Sequence, residues 1–171
     1  MNNLIHSMNV EKEVSHLTES IINDALKTRY QQAYNFEVIT NHKDYLYNLL
    51  IEKSKNVLNN FTIADKNFRV WCYFTDDTYY KGDTWHNHLN TSTINAVLYL
   101  QTVKGKGIEF DHNGEYFYYE PNNYDLLIFP DFLNHRPLTS KTERRISLNL
   151  ELNCLEDSKN IFNIVSPIRD K

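Results

Sequence analysis

The chain has 171 residues and a formal charge of −4, room for one domain with a single sizeable core and no basic footprint for a nucleic-acid backbone. No apolar run approaches a membrane span, and "MNNLIHSMNV" lacks the basic and continuous apolar regions of a secretory leader. Cys72 and Cys154 stand far apart with no CxxC spacing, so they read as free thiols of a reducing, cytoplasmic compartment. A small-molecule or protein partner is the default. Twelve tyrosines against only four glycines and four prolines fit a half-buried sheet whose inner face needs hydroxyls as well as bulk.

The opening third reads as helical. In NVEKEVSHLTESIINDALKTRY, Val10, Val14, Leu17, Ile21 and Ala25 recur at steps of three or four, one stripe of an amphipathic helix. After an extended piece, NFEVIT, a second helix is expected in NHKDYLYNLLIEKSKNVLNNF. Asn41 would be its N-cap, and Leu46, Leu49, Leu50, Val57 and Phe61 would line one face. From about Phe68 the period becomes that of strands, first in FRVWCYF and TINAVLYLQ. GIEFDHNGEYFYYE reads as two strands around Asn113-Gly114, because both turn residues tolerate positive φ. YDLLIFP follows, then RRISLNLEL, where Ile146, Leu148, Leu150 and Leu152 alternate with polar neighbours. Pro130 and Pro137 are expected to bracket a loop, since neither can sit inside a central strand.

These elements predict a mainly β fold with N-terminal helices: a double-stranded β-helix (jelly roll, cupin-like) with helices packed on one sheet. One domain is expected over 1–171, divided into a mostly helical part (1–66), a jelly-roll core (67–154) and a C-terminal tail (155–171).

In WHNHLN, His86 and His88 are two apart where a strand is expected to begin, so both side chains can face one point. Imidazole suits iron, zinc, copper or nickel; an isolated HxH equally fits a wet strand edge. His135, in IFPDFLNHRPL, follows an apolar strand that a jelly roll can bring beside the pair, and on its own it reads as a loop histidine. Arg145 comes ten residues later, with Ser147 on the same strand face. Two orientations of that strand stand open. Ile146 and Leu148 can point into the core, leaving Arg145, Ser147, Asn149 and Glu151 wet. Alternatively the leucine face packs under helices and Arg145 and Ser147 face a cavity, where a buried guanidinium needs a carboxylate.

From about Val70 to Leu152 the chain resembles the Fe(II)/2-oxoglutarate-dependent oxygenases, and is most similar to the short oxygenases of bacteria and phages and to prolyl-hydroxylase-like members. The residues that carry the resemblance are HNH, VLYLQ, LLIFP, LNH and RRIS. The resemblance implies a dioxygenase that hydroxylates a peptide or protein side chain or a small metabolite, while 2-oxoglutarate is decarboxylated to succinate. It implies His86, His88 and His135 as Fe(II) ligands. It also implies Arg145, with Tyr99 and Ser147, as the clamp on the far carboxylate of 2-oxoglutarate; whether Arg144 shares the task of Arg145 stays open. Tyr79, Tyr80 and Trp85 would line the substrate approach, and His112 would face solvent. One departure matters: the family has a carboxylate where this chain has His88. Asp83 is near in sequence but would point to the opposite strand face. A three-histidine cupin-type dioxygenase without 2-oxoglutarate is therefore the alternative enzyme, and an inactive jelly-roll binding protein the alternative of another class. The strand after Arg145 lacks the second arginine of the nucleic-acid demethylases, which agrees with the acidic charge.

Overall fold

Val10, Val14, Ile21 and Ala25 are buried, and the chain carrying them is helical in two pieces, α1 (Glu11–Val14) and α2 (Thr18–Thr28), joined by a 3₁₀ turn at Ser15–Leu17. The Asn9 side chain accepts from the Glu11 backbone N–H at 3.1 Å and so satisfies one of the orphan donors at the helix start. This computed structural model describes residues 4–29, 34–64, 68–77 and 84–164. None of the described helices is long and apolar enough to cross a membrane.

The second helix, α3 (Lys43–Val57), buries Leu46, Leu49 and Leu50 as expected, but its fourth buried position is Ser54. Two expectations fail here. Asn41 is not the cap; His42 is, and it makes no side-chain capping bond. Val57, the last helical residue, is exposed, and Phe61 lies beyond the helix because the backbone turns extended at Leu58.

The strands are β1 (His6–Asn9), β2 (Asn35–Glu37), β3 (Val70–Thr75), β4 (Ile94–Gln101), β5 (Ile108–His112), β6 (Glu115–Tyr119), β7 (Asp125–Pro130), β8 (Asn134–Pro137) and β9 (Arg145–Leu152). They form two antiparallel sheets, one of six strands in the order β1-β7-β4-β9-β3-β2 and one of three, β6-β5-β8. Helices cover one face of the larger sheet, which is the jelly-roll arrangement. Both edge strands of that sheet come from the segment before residue 66. A two-residue turn joins β5 to β6, with Asn113 at φ 55° and Gly114 at φ 85°, as the dipeptide predicts. A short helix, α4 (Ser158–Ile161), is capped by Asp157 and adds Ile161 and Phe162 to the core beneath the helices.

The proline-bracketed loop is a correction. Pro130 ends β7, opposite Ile94, and Pro137 ends β8, opposite Ile108. Each occupies a strand terminus, where a missing N–H costs nothing, so only Asp131–Leu133 is left as a turn.

Two apolar clusters split the fold. Ile146, Leu148, Leu150 and Leu152 of β9 join the helices, together with Val70, Cys72 and Phe74 of β3 and Ile94, Ala96 and Leu98 of β4. Val97, Tyr99, Ile108, Phe110, Leu127, Phe129 and Leu133 form the second cluster, between the sheets. Each fully buried Leu, Ile or Phe contributes roughly 1.5–3 kcal/mol by leaving water. The helices thus claim the leucine face of β9, and its other face is free to line a cavity.

Candidate metal centre and anion pocket

With the leucines turned to the helices, period 2 points Arg145, Ser147, Asn149 and Glu151 to the space between the sheets. A cavity of about 170 Å³ opens there, and Arg145, Ser147, Tyr73, Tyr99, His86 and His135 are among its lining residues. Arg145 is wholly buried. Its Nε donates to the Lys106 carbonyl at 2.8 Å, one terminal nitrogen to the Ser147 hydroxyl at 3.3 Å and the other to the Gly107 carbonyl at 3.5 Å. All three acceptors are neutral, and among the described residues no carboxylate pairs with it. Ser147 lies between Tyr73 and Tyr99 in the strand register, and the guanidinium stands 5.2 and 5.3 Å from those two rings. Among the described residues the buried Tyr99 hydroxyl meets no partner in hydrogen-bonding geometry, and burial pushes its phenol pKa up against the opposing pull of nearby Arg145. A buried cation without a carboxylate partner beside a buried hydroxyl is an arrangement whose unmet electrostatic demand an anion would satisfy. Arg144 has no part in it: it is exposed and donates to the Gln101 side chain at 3.0 Å.

His86 and His135 line the same cavity, and His88 meets them from a smaller pocket that it shares with His135, Asn149 and Glu151. One ring nitrogen from each of His86, His88 and His135 lies within 4.8 Å of the others, and the ring centroids are 4.3, 5.1 and 5.5 Å apart. Contrary to the HxH expectation, His86 and His88 do not lie together in a strand. His86 forms an isolated bridge with His135, and the His88 N–H donates to the Asp131 carbonyl at 2.8 Å. Backbone clamps onto the turn before β8 bring the rings together.

Hydrogen bonds fix which nitrogen of each ring is available. Nδ1 of His86 is 3.0 Å from the Thr84 carbonyl, and Nδ1 of His135 is 3.0 Å from the Leu133 carbonyl. Nδ1 of His88 is 3.1 Å from Oε1 of Glu151. Carbonyls and carboxylates only accept, so Nδ1 carries a proton in all three rings and Nε2 is the nitrogen left for a metal ion. Burial, and then the neighbouring His86, push the His135 pKa down to about 3; burial likewise lowers that of His86. Lowered pKa values keep the His86 and His135 rings neutral, and three clustered imidazoles are a donor set that suits iron, zinc, copper or nickel.

The remaining expected residues divide. Tyr79, Tyr80 and Asp83 lie outside the described residues. Trp85 is partly exposed, and its ring meets Tyr116 at 5.8 Å and the Arg136 guanidinium at 4.8 Å. His112 is partly covered, 6.0 Å from the Phe132 ring, instead of fully solvent-facing. Tyr73, Asn149 and Glu151 were not singled out from the sequence as site residues. Alternation along β9 carries the signal for Asn149 and Glu151, which share the face of Arg145.

Neither a protein-family model nor a curated protein matches the sequence; solved structures match the fold. A viral collagen prolyl hydroxylase from Paramecium bursaria Chlorella virus-1, in its 2-oxoglutarate complex, superposes with a TM-score of 0.57 at 13% identity, over 90% of this chain and 97% of that one. An oxidoreductase of the 2OG-Fe(II) oxygenase family from Burkholderia pseudomallei gives 0.61 at 13% identity, over 92% and 85%. A Trichoplax adhaerens prolyl hydroxylase, in complex with a hypoxia-inducible-factor peptide fragment, gives 0.60 at 15% identity, over 96% and 88%. The chain has the jelly-roll fold of the 2-oxoglutarate/Fe(II) oxygenases. Within that fold it is similar to the viral and Trichoplax prolyl hydroxylases over most of their lengths.

Proposed function

We propose that this chain is an Fe(II)- and 2-oxoglutarate-dependent dioxygenase that hydroxylates its substrate. The observation that carries the reading is a cluster of three histidines, two of which line the cavity into which a buried arginine without a carboxylate partner also faces. His86, His88 and His135 would hold Fe(II) through Nε2. Arg145 would take the far carboxylate of 2-oxoglutarate, with Ser147 steadying the guanidinium and the Tyr99 hydroxyl completing the clamp. Buried walls from Val97 and Ile108 keep bulk water from that carboxylate and strengthen the pairing. When bound, the iron supplies the redox chemistry that couples loss of CO₂ from 2-oxoglutarate to insertion of one oxygen atom of O₂ into a substrate C–H bond.

The substrate in this reading is a peptide or protein side chain or a small metabolite, by analogy with the peptide-bound relative. We take residues 1–171 as one oxygenase domain and, from its two free thiols, assign it to a reducing cytoplasm. The three-histidine donor set favours a second reading, a cupin-type dioxygenase that needs no 2-oxoglutarate; that enzyme has no use for Arg145 and Tyr99. Anaerobic titration of the apoprotein with Fe(II) and then 2-oxoglutarate decides between them. A visible charge-transfer band that weakens in His88→Ala and Arg145→Ala supports the first reading. Iron bound without the band supports the second, and no iron binding leaves a binding domain.

A further inference from the structure

Glu151 is the last odd-numbered residue of β9, directly opposite Asn95 on β4, and lines a small pocket with Asn95, His88 and His135. Its carboxylate is 18% exposed and lies 3.1 Å from Nδ1 of His88, whose side chain is 14% exposed. Among the described residues Glu151 makes no other ion pair or side-chain hydrogen bond. The other two histidines of the cluster give their Nδ1 protons to neutral backbone carbonyls. His88 alone gives its proton to an anion.

From this geometry we infer that Glu151 is a positioning residue for the metal, supplying through His88 the negative charge that a set of three neutral imidazoles lacks. The inference rests on the metal-centre reading above. Two physical effects follow from the contact. The carboxylate fixes the tautomer and ring orientation of His88, so that Nε2 faces the other two donors. It also draws the shared proton toward itself, which makes the ring a stronger electron donor to the ion and lowers the net charge of the loaded centre. Outer carboxylates of this kind govern metal affinity by roughly 10- to 100-fold. A salt bridge serving only the fold would not require the ring that meets the carboxylate to sit in a cluster with two other imidazoles.

The test compares wild type, Glu151→Gln and Glu151→Ala by anaerobic calorimetry with Fe(II) alone, and with Co(II) alone as a spectroscopic stand-in, without 2-oxoglutarate or turnover. Apoprotein melting temperatures are measured beside them. Glu151→Gln keeps an oxygen acceptor in nearly the same shape and removes only the charge. The expected result is a roughly tenfold loss of metal affinity in Glu151→Gln and a larger loss, toward 100-fold, in Glu151→Ala, with a shifted Co(II) absorption spectrum and an apoprotein melting temperature for Glu151→Gln close to wild type. Wild-type affinity in both variants overturns the inference and leaves the metal centre standing. A drop in melting temperature with unchanged metal affinity also overturns it, by reducing the pair to a structural bridge. Wild type that binds neither ion removes the metal centre and this inference together.

Discussion

His86 and His135, far apart in the sequence, exchange backbone hydrogen bonds of 3.0 and 2.9 Å. Their side chains leave the same antiparallel bridge, so the distance between the two rings is set by the main chain and not by side-chain contact. His135→Ala therefore removes a ligand without undoing the bridge. Its expected outcome is loss of Fe(II) binding in calorimetry, with an apoprotein destabilised by only about 1–3 kcal/mol, as for an ordinary buried truncation. A variant that still takes up iron at wild-type affinity would remove His135 from the centre.

Arg145 stands buried with only neutral acceptors around it. Losing the cationic partner of a buried charge pair costs about 2–5 kcal/mol, so Arg145→Ala is expected to weaken 2-oxoglutarate binding by roughly 30-fold or more while sparing Fe(II) affinity. Equilibrium titration of the iron-loaded variant with 2-oxoglutarate checks this. Unchanged 2-oxoglutarate affinity would favour the cupin-type reading.

Tyr99→Phe should move stability and binding in opposite directions. A buried hydroxyl without a partner costs about 1–3 kcal/mol, so its removal is expected to stabilise the apoprotein by about 1 kcal/mol in urea unfolding. The same change deletes a donor to the anion, and 2-oxoglutarate affinity is expected to fall roughly tenfold. Destabilisation of the apoprotein would show that the hydroxyl has a partner in the free state.

The thiols offer a test that is independent of the site. Burial pushes Cys72 and Cys154 up to about 12. A raised pKa keeps both protonated at pH 8, and only the thiolate attacks an alkylating agent. Iodoacetamide at pH 8 should therefore leave the native protein unmodified by mass spectrometry and label both cysteines in denaturant. Rapid labelling of native Cys72 would mean that β3 opens.

Strand and helix positions are legible wherever one period dominates: Leu46, Leu49 and Leu50 mark α3, and the Asn-Gly turn marks the β5–β6 hairpin. His6–Asn9 is not legible as a strand, because its pairing with β7 is long-range and HSMN carries no alternation of its own. The orientation of Arg145 is undecided in RRISLNLEL alone, since either face of an alternating strand can be the dry one. Only helices packed over Ile146 and Leu148 decide it. Glu151 was hidden for the same reason, together with a second one. Its partner His88 comes from a turn whose course depends on a bond to Asp131, and no local pattern encodes that bond.

β9 writes two messages in one strand and separates them by parity. Even-numbered positions from Ile146 to Leu152 speak to the helices, while of the odd-numbered ones Arg145, Ser147 and Asn149 speak to the cavity and Glu151 to His88. Substitutions at odd positions can therefore retune the chemistry while the core stays intact, and substitutions at even positions can change stability while the ligands stay in place. Inserting or deleting one residue exchanges the two sets. It would turn leucines into the anion pocket and press a guanidinium and a carboxylate against the helices, so the strand can be edited letter by letter but not shifted.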